Sequence, residues 1–183
     1  MDYISRWWQS HGFGIESKTD FAFLHDIIRE TYPYYAYEDL ATHFPETSAT
    51  DVAKAHLLLR LCNYTQPEST LMHGNVPEIM VAAIHHGCKK TEIKQHDSKY
   101  AKLALLNIPA IIHSGLLIEL IPKRSADENQ CYVIILTDIN ERNATLWNDI
   151  VNAQTITYDM RDTGIALIRP QRYPEHYKIL PVK

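Results

Sequence analysis

From about residue 69 onward, short apolar runs alternate with stretches of helical periodicity, and this rhythm constrains the fold more than any other feature of the chain. Short apolar runs separated by helices build strand–helix–strand units, and hence a largely parallel sheet with helices on its faces. The pattern predicts strands at 69–73, 91–95, 109–113 and 132–137, and helices near 77–87, 97–106 and 142–152. "LLIELIPK" (116–123) fits either a helical turn or a further strand, and "KRSADENQ" (123–130) reads as a solvated loop. "TITYDM" and "GIALIRP", separated by "RDT", read as an antiparallel pair closing the sheet edge, and the tail "YPEHYKIL" adds one more extended piece.

Before residue 67 the pattern is helical. Phe21, Leu24, Ile27 and Ile28 share one face of an amphipathic helix over 19–30, behind a Thr or Asp cap. Pro33 argues against continuous helix through "YPYYAYEDL", whose tyrosines are expected to wedge the N-terminal segment against the main body. "DVAKAHLLLRLCNY" (51–64) is apolar around most of its circumference and predicts a more buried helix. With 183 residues, 45% of them hydrophobic, the chain can bury a full core. The expected organisation is one domain, with a helical segment (1–66) packed on an α/β core (67–183).

A formal charge of −4 gives no general attraction to nucleic acid or anionic lipid, so neither is an expected partner. The opening "MDYISRWWQSHGFG" lacks the layout of a secretory signal. The most apolar run is broken by His113, Ser114 and Glu119 and is too short to span a bilayer, so a cytoplasmic protein is expected. Cys62, Cys88 and Cys131 suit reduced thiols rather than disulfides. The histidines show no HExxH spacing, and no metal site is expected.

In a doubly wound sheet the ligand lies at the carboxyl ends of the strands, and the first strand–helix turn cradles it. That turn is "TLMHGNVPEIM" (70–80), with a single glycine, Gly74, where the backbone would have to approach a ligand closely. An acid at the end of the following strand ordinarily accepts hydrogen bonds from ribose hydroxyls. Here that strand ends in neutral Gln95, and Asp97 stands two residues on. The junction is equally readable as an ordinary strand–helix turn. Asp138, after "VIILT", stands at the ligand-bearing rim, with capping of the helix in "NATLWNDI" as its structural alternative.

Several segments together resemble bacterial class I S-adenosylmethionine-dependent methyltransferase-like proteins. "GFGIESKTDFAFLHDII" and "YPYYAYEDL" are similar to that group's opening, with Glu16 and Lys18 in place of its His and Pro. "HLLLRLCNYTQPESTLMHGN" resembles the helix, first strand and cofactor loop, "VIILTDINERNATLWNDI" a strand bearing Asp-Asp-Ile and its helix, and "TITYDMRDTGIALIRP" the closing strands. The resemblance implies a Rossmann-like class I methyltransferase-type sheet, mostly parallel with an antiparallel C-terminal strand pair, plus N-terminal helices. The chain is shorter than the family pattern between the second strand and "VIILT", which implies a sheet lacking one strand–helix unit.

The departures fall where the donor would be held. The family's acid, glycine and second glycine after the first strand correspond to Met72, Gly74 and Glu78; its ribose-gripping acid corresponds to Gln95; of its paired acids, Asp138 remains behind Thr137. Glu78 would bring a Cβ and a like charge near the donor's carboxylate. A lost charge-assisted hydrogen bond costs about 1.5–3 kcal/mol, so two lost acceptors weaken binding by about a hundredfold or more. The expectation is a vestigial S-adenosylmethionine site at His73, Gly74, Asn75, Gln95, His96 and Asp138, with no catalytic residue assigned. Such a protein would act as a binding or interaction module with a protein partner or as a homo-oligomer. The alternatives are an active divergent methyltransferase, or a crevice in which Asn75, Gln95 and His96 hold a different small ligand.

Overall fold

A computed structural model describes residues 2–73, 76–95, 103–107, 132–141, 144–152, 156–169 and 172–182. The helices are α1 (Asp2–Ser10), α2 (Lys18–Phe23), α3 (Tyr35–His43), α4 (Ala49–Thr65), α5 (Glu78–Gly87) and α6 (Ala144–Asn152). The strands are β1 (Ser69–His73), β2 (Glu92–Gln95), β3 (Leu103–Asn107), β4 (Tyr132–Thr137), β5 (Ile156–Asp159), β6 (Thr163–Ile168) and β7 (Glu175–Lys178). They form one sheet in the order β2-β1-β3-β4-β6-β5-β7.

The pairs β1–β2, β1–β3 and β3–β4 are parallel, whereas β6 runs antiparallel to both β4 and β5. This is a mostly parallel, Rossmann-like sheet with an antiparallel C-terminal pair. On one side the outermost described strand is β2. On the other side the outcome differs from expectation, because the antiparallel pair does not form the edge. β6 inserts against β4, β5 lies outside it, and the tail strand β7 pairs parallel with β5 as the outermost strand.

A second correction concerns 97–106, expected to be helical. Leu103–Asn107 is a strand, held between β1 and β4 with Leu105 opposite Met72 and Ile135. An apolar run this short is compatible with either structure, and pairing on both sides settles it. The expected strand at 109–113 and the segments 116–123 and 123–130 lie outside the described residues.

Alternation along the strands divides the core. Met72, Val133, Ile135, Ile165 and Leu167 join the side bearing α4 and α5, while Leu71, Ile134, Leu136 and Ala166 join the side bearing Trp147 and Ile150 of α6. The Trp147 ring lies on Gly164 so closely that a Cβ there would overlap it. Helix α4 starts at Ser48, whose Oγ accepts from Asp51 N (3.1 Å), and ends at Gln66 in a left-handed conformation.

The amphipathic helix expected over 19–30 is realised as α2 followed by a π-helical turn, Leu24–Ile28. Arg60 of α4 explains the widened turn's stability, since its guanidinium donates to Ile27 O (2.7 Å), Ile28 O (3.0 Å) and Tyr37 Oη (2.9 Å). The tyrosine cluster does only part of the wedging expected of it. Tyr37 stacks on His56 (3.6 Å between ring centres), whereas Tyr32 and Tyr35 are exposed, and helix α3 begins directly after the Pro33 break.

Candidate functional site

The parallel strands β1 to β4 end along one rim, and their register fixes which residues stand there. Gln95 pairs with Met72, His73 with Leu106, Asn107 with Thr137, and Thr137 in turn with Thr163. Read across the sheet, the rim is Gln95, His73, Asn107, Thr137 and Thr163. β1 is followed in sequence by β2 on one flank, and the chain then returns to place β3 on the other. Ligands of open α/β sheets occupy the crevice at such a reversal, outside the strand ends. The strand order therefore puts the reversal beside the end of β1.

Of the site residues expected from sequence, His73 and Gln95 are brought to adjacent strand ends at this crevice. Gly74, Asn75 and His96, like Asp97, lie outside the described residues. Asn107 was missed, because 97–106 was expected to be helix. Its signal is an apolar "LALL" run closed by Asn with a proline two residues on, which a parallel-strand reading would have placed at the rim. Helix α5 opens with exposed Glu78 in its first turn, and its N-cap position, Pro77, provides no side-chain cap. A carboxylate there matches the polarity of the helix N-terminus and occupies the region an anionic ligand group would use.

Asp138 follows β4, two strands from β1. Its backbone is left-handed (φ 59°), and its Oδ1 accepts from Lys54 Nζ at 2.8 Å. Asp162 Oδ2 lies 3.4 Å from the same ammonium. Burial works against the Lys54 charge, but the hydrogen bond and charge of Asp138 and the charge of Asp162 outweigh it and raise the lysine's pKa. Asp138 thus ties the exit of β4 to α4.

Beside Lys54 a cleft of about 540 Å³ opens between the first turns of α4, the β5–β6 turn and the C-terminal tail. Ala53, Met160 and Val182 provide apolar wall, and Thr50, Thr163 and Arg161 polar groups. Its volume is in the range of small-molecule sites. Among the described residues no helix is long and apolar enough to cross a membrane.

No family model matches the chain, and no curated protein matches it. Among the solved structures that match the chain are three methyltransferases. The SAH-bound methyltransferase PaMTH1 of Podospora anserina is 10% identical, with 87% of this chain and 98% of that one covered and a TM-score of 0.45. A methyltransferase from Geobacter sulfurreducens is 13% identical over 82% and 95% of the two chains, with a TM-score of 0.46. The release factor-specific protein-(glutamine-N5) methyltransferase of Alicyclobacillus acidocaldarius is 11% identical over 77% and 99%, with a TM-score of 0.40. Likeness at this level describes outline only; the fold assignment stands on the strand order and on β6.

Proposed function

We propose that this chain is a methyltransferase-like protein whose donor crevice no longer grips S-adenosylmethionine, and that it acts by binding rather than by methyl transfer. One observation carries the reading: the rim residues Gln95, His73, Asn107 and Thr137 include no carboxylate. A nucleoside's ribose hydroxyls are held by an acid at the end of the second strand, and register puts Gln95 at that position. Glu78 adds a like charge where the donor's carboxylate would approach, and Asp138 is engaged by Lys54. The vestigial site comprises His73, Gly74, Asn75, Gln95 and His96, with Asp138 now reassigned to a structural pair.

Thermal unfolding with S-adenosylhomocysteine tests this. A ligand at one hundred times its dissociation constant adds about 2.7 kcal/mol, which raises the midpoint of a chain this size by about 5–10 °C. The expected result at millimolar ligand is no shift, and a shift of that size would overturn the proposal.

The cleft beside Lys54 favours a second reading, a small ligand bound away from the donor crevice. Because two carboxylates already face the ammonium, that ligand would be neutral and largely apolar. A midpoint shift caused by such a compound and abolished by Ala53→Trp would establish it.

A further inference from the structure

Helix α1 is docked with its polar face inward. Arg6 Nη1 donates to Asp159 O (2.6 Å) and Ile179 O (3.1 Å), and Nη2 donates to Asp159 Oδ2 (3.1 Å). Gln9 Oε1 accepts from Lys178 N (2.6 Å) and Ser10 Oγ from Leu180 N (2.8 Å), so the helix covers free backbone donors of the outermost strand and the tail. A surface helix ordinarily buries its apolar stripe. Here Tyr3, Ile4, Trp7 and Trp8 face outward.

The apolar surface continues past the helix. Gly12 and Gly14 adopt positive φ (85° and 79°), and the chain reverses so that Phe13 meets Trp8 edge-on at 4.5 Å. The Phe21 ring then lies directly on Gly12. Tyr3, Ile4, Trp7, Trp8, Phe13 and Phe21 are between 42% and 65% exposed. Aromatic side chains carry about 150–250 Å² each, so half-exposed they leave roughly 600 Å² of contiguous apolar surface.

We infer that this aromatic face is an interface between two copies of the chain. Two such patches in contact bury about 1,200 Å², the lower bound for a stable specific interface. A two-fold contact sets a patch against itself, which an aromatic patch without charge tolerates and a charged one does not. A lipid surface fits less well, because membrane-bound amphipathic helices carry Lys or Arg on their polar face and the single basic residue of α1, Arg6, is buried in the docking network. The inference uses other residues than the donor crevice and stands whether or not a donor binds.

Sedimentation velocity on the full chain, from low to high micromolar concentration, is expected to show a reversible monomer–dimer equilibrium. Emission from Trp7 and Trp8 should shift to the blue over the same range, with buried Trp147 as the unchanged background. Loss of a central interface tryptophan weakens binding by about 30-fold, so Trp8→Ser should raise the dissociation constant by at least that factor. Tyr35→Ser, on exposed α3, should leave it unchanged, and circular dichroism should show both variants folded. A strict monomer at all concentrations would overturn the inference, as would dimerisation indifferent to Trp8→Ser together with Trp7→Ser. So would a monomer that co-sediments with phosphatidylcholine vesicles.

Discussion

The two halves of the sheet use polar residues in opposite ways. In the β5–β7 half, buried charges are matched by neighbours. Arg6 holds Asp159, while Arg172 (2.9 Å) and the Tyr177 hydroxyl (3.2 Å) both donate to the fully buried Asp20. In the β2–β1–β3 half, the strand ends that would face a ligand are neutral. The difference teaches that the buried ionic residues of the β5–β7 half secure the N-terminal segment and tail to the sheet, while the strand-end residues Gln95, His73, Asn107 and Thr137 include no carboxylate. Burial of the Tyr158 and Tyr177 phenols beside Asp20 pushes both pKa values up, so that corner favours their hydroxyl forms as donors.

The largest effect should come from breaking the charged half. Asp20→Ala removes the acceptor for Arg172 and Tyr177 and leaves the buried Tyr177 hydroxyl and the partly exposed Arg172 guanidinium without it. We expect a loss of about 3 kcal/mol, or a midpoint roughly 6–12 °C lower by calorimetry. A change within error would mean that the pairing there is incidental.

An intermediate effect is expected at the junction of the halves. Lys54→Met should cost no more than about 1 kcal/mol, because Asp138 and Asp162 are about half exposed and remain hydrated. The lysine's folded pKa is raised above 10.5, so its contribution is present in full below that pH and is lost as pH climbs through the folded value. The stability gap between wild type and Lys54→Met, followed by urea titration, should be constant through neutral pH and close in strong alkali. A gap that widened there would reverse the assigned sign.

The smallest effect on stability is expected at the neutral rim. Gln95→Asp should alter stability by less than about 0.5 kcal/mol, yet it places an acid at the β2 end. Isothermal titration with S-adenosylhomocysteine would sharpen the comparison. Detectable binding only in the variant would make an acid at this position the determinant of nucleoside binding, whereas equal binding by both proteins would show that the crevice holds the nucleoside without a strand-end acid.

Much of the fold was legible beforehand. Strands β1, β2, β4, β5 and β6 and helices α4, α5 and α6 lie where the alternation of short apolar runs with helical periodicity placed them. The misplaced element, β3, is a short run of apolar residue types, and such a run carries no period of its own. At the expected site, Gln95 and His73 stand at adjacent strand ends as the order of elements implies, while Asp138 follows β4 and pairs with Lys54. The two readings weighed for that residue, ligand rim or helix cap, omitted the one observed, because its partner Lys54 is 84 residues away. The aromatic face of α1 was equally hidden. "DYISRWWQS" is amphipathic, and an amphipathic helix by itself suggests an apolar face turned inward.

By itself the sequence determined that this protein would build strand–helix units, and it determined which residue types would occupy the first crossover, because both follow from local periodicity and order along the chain. Tertiary structure alone decided that β6 lies inside β5, that β7 forms the edge, that Lys54 takes Asp138, and that α1 turns its tryptophans outward. Each of those outcomes depends on hydrogen-bond and charge partners distant in sequence, such as Arg6 and Asp159, whose meeting no local pattern encodes.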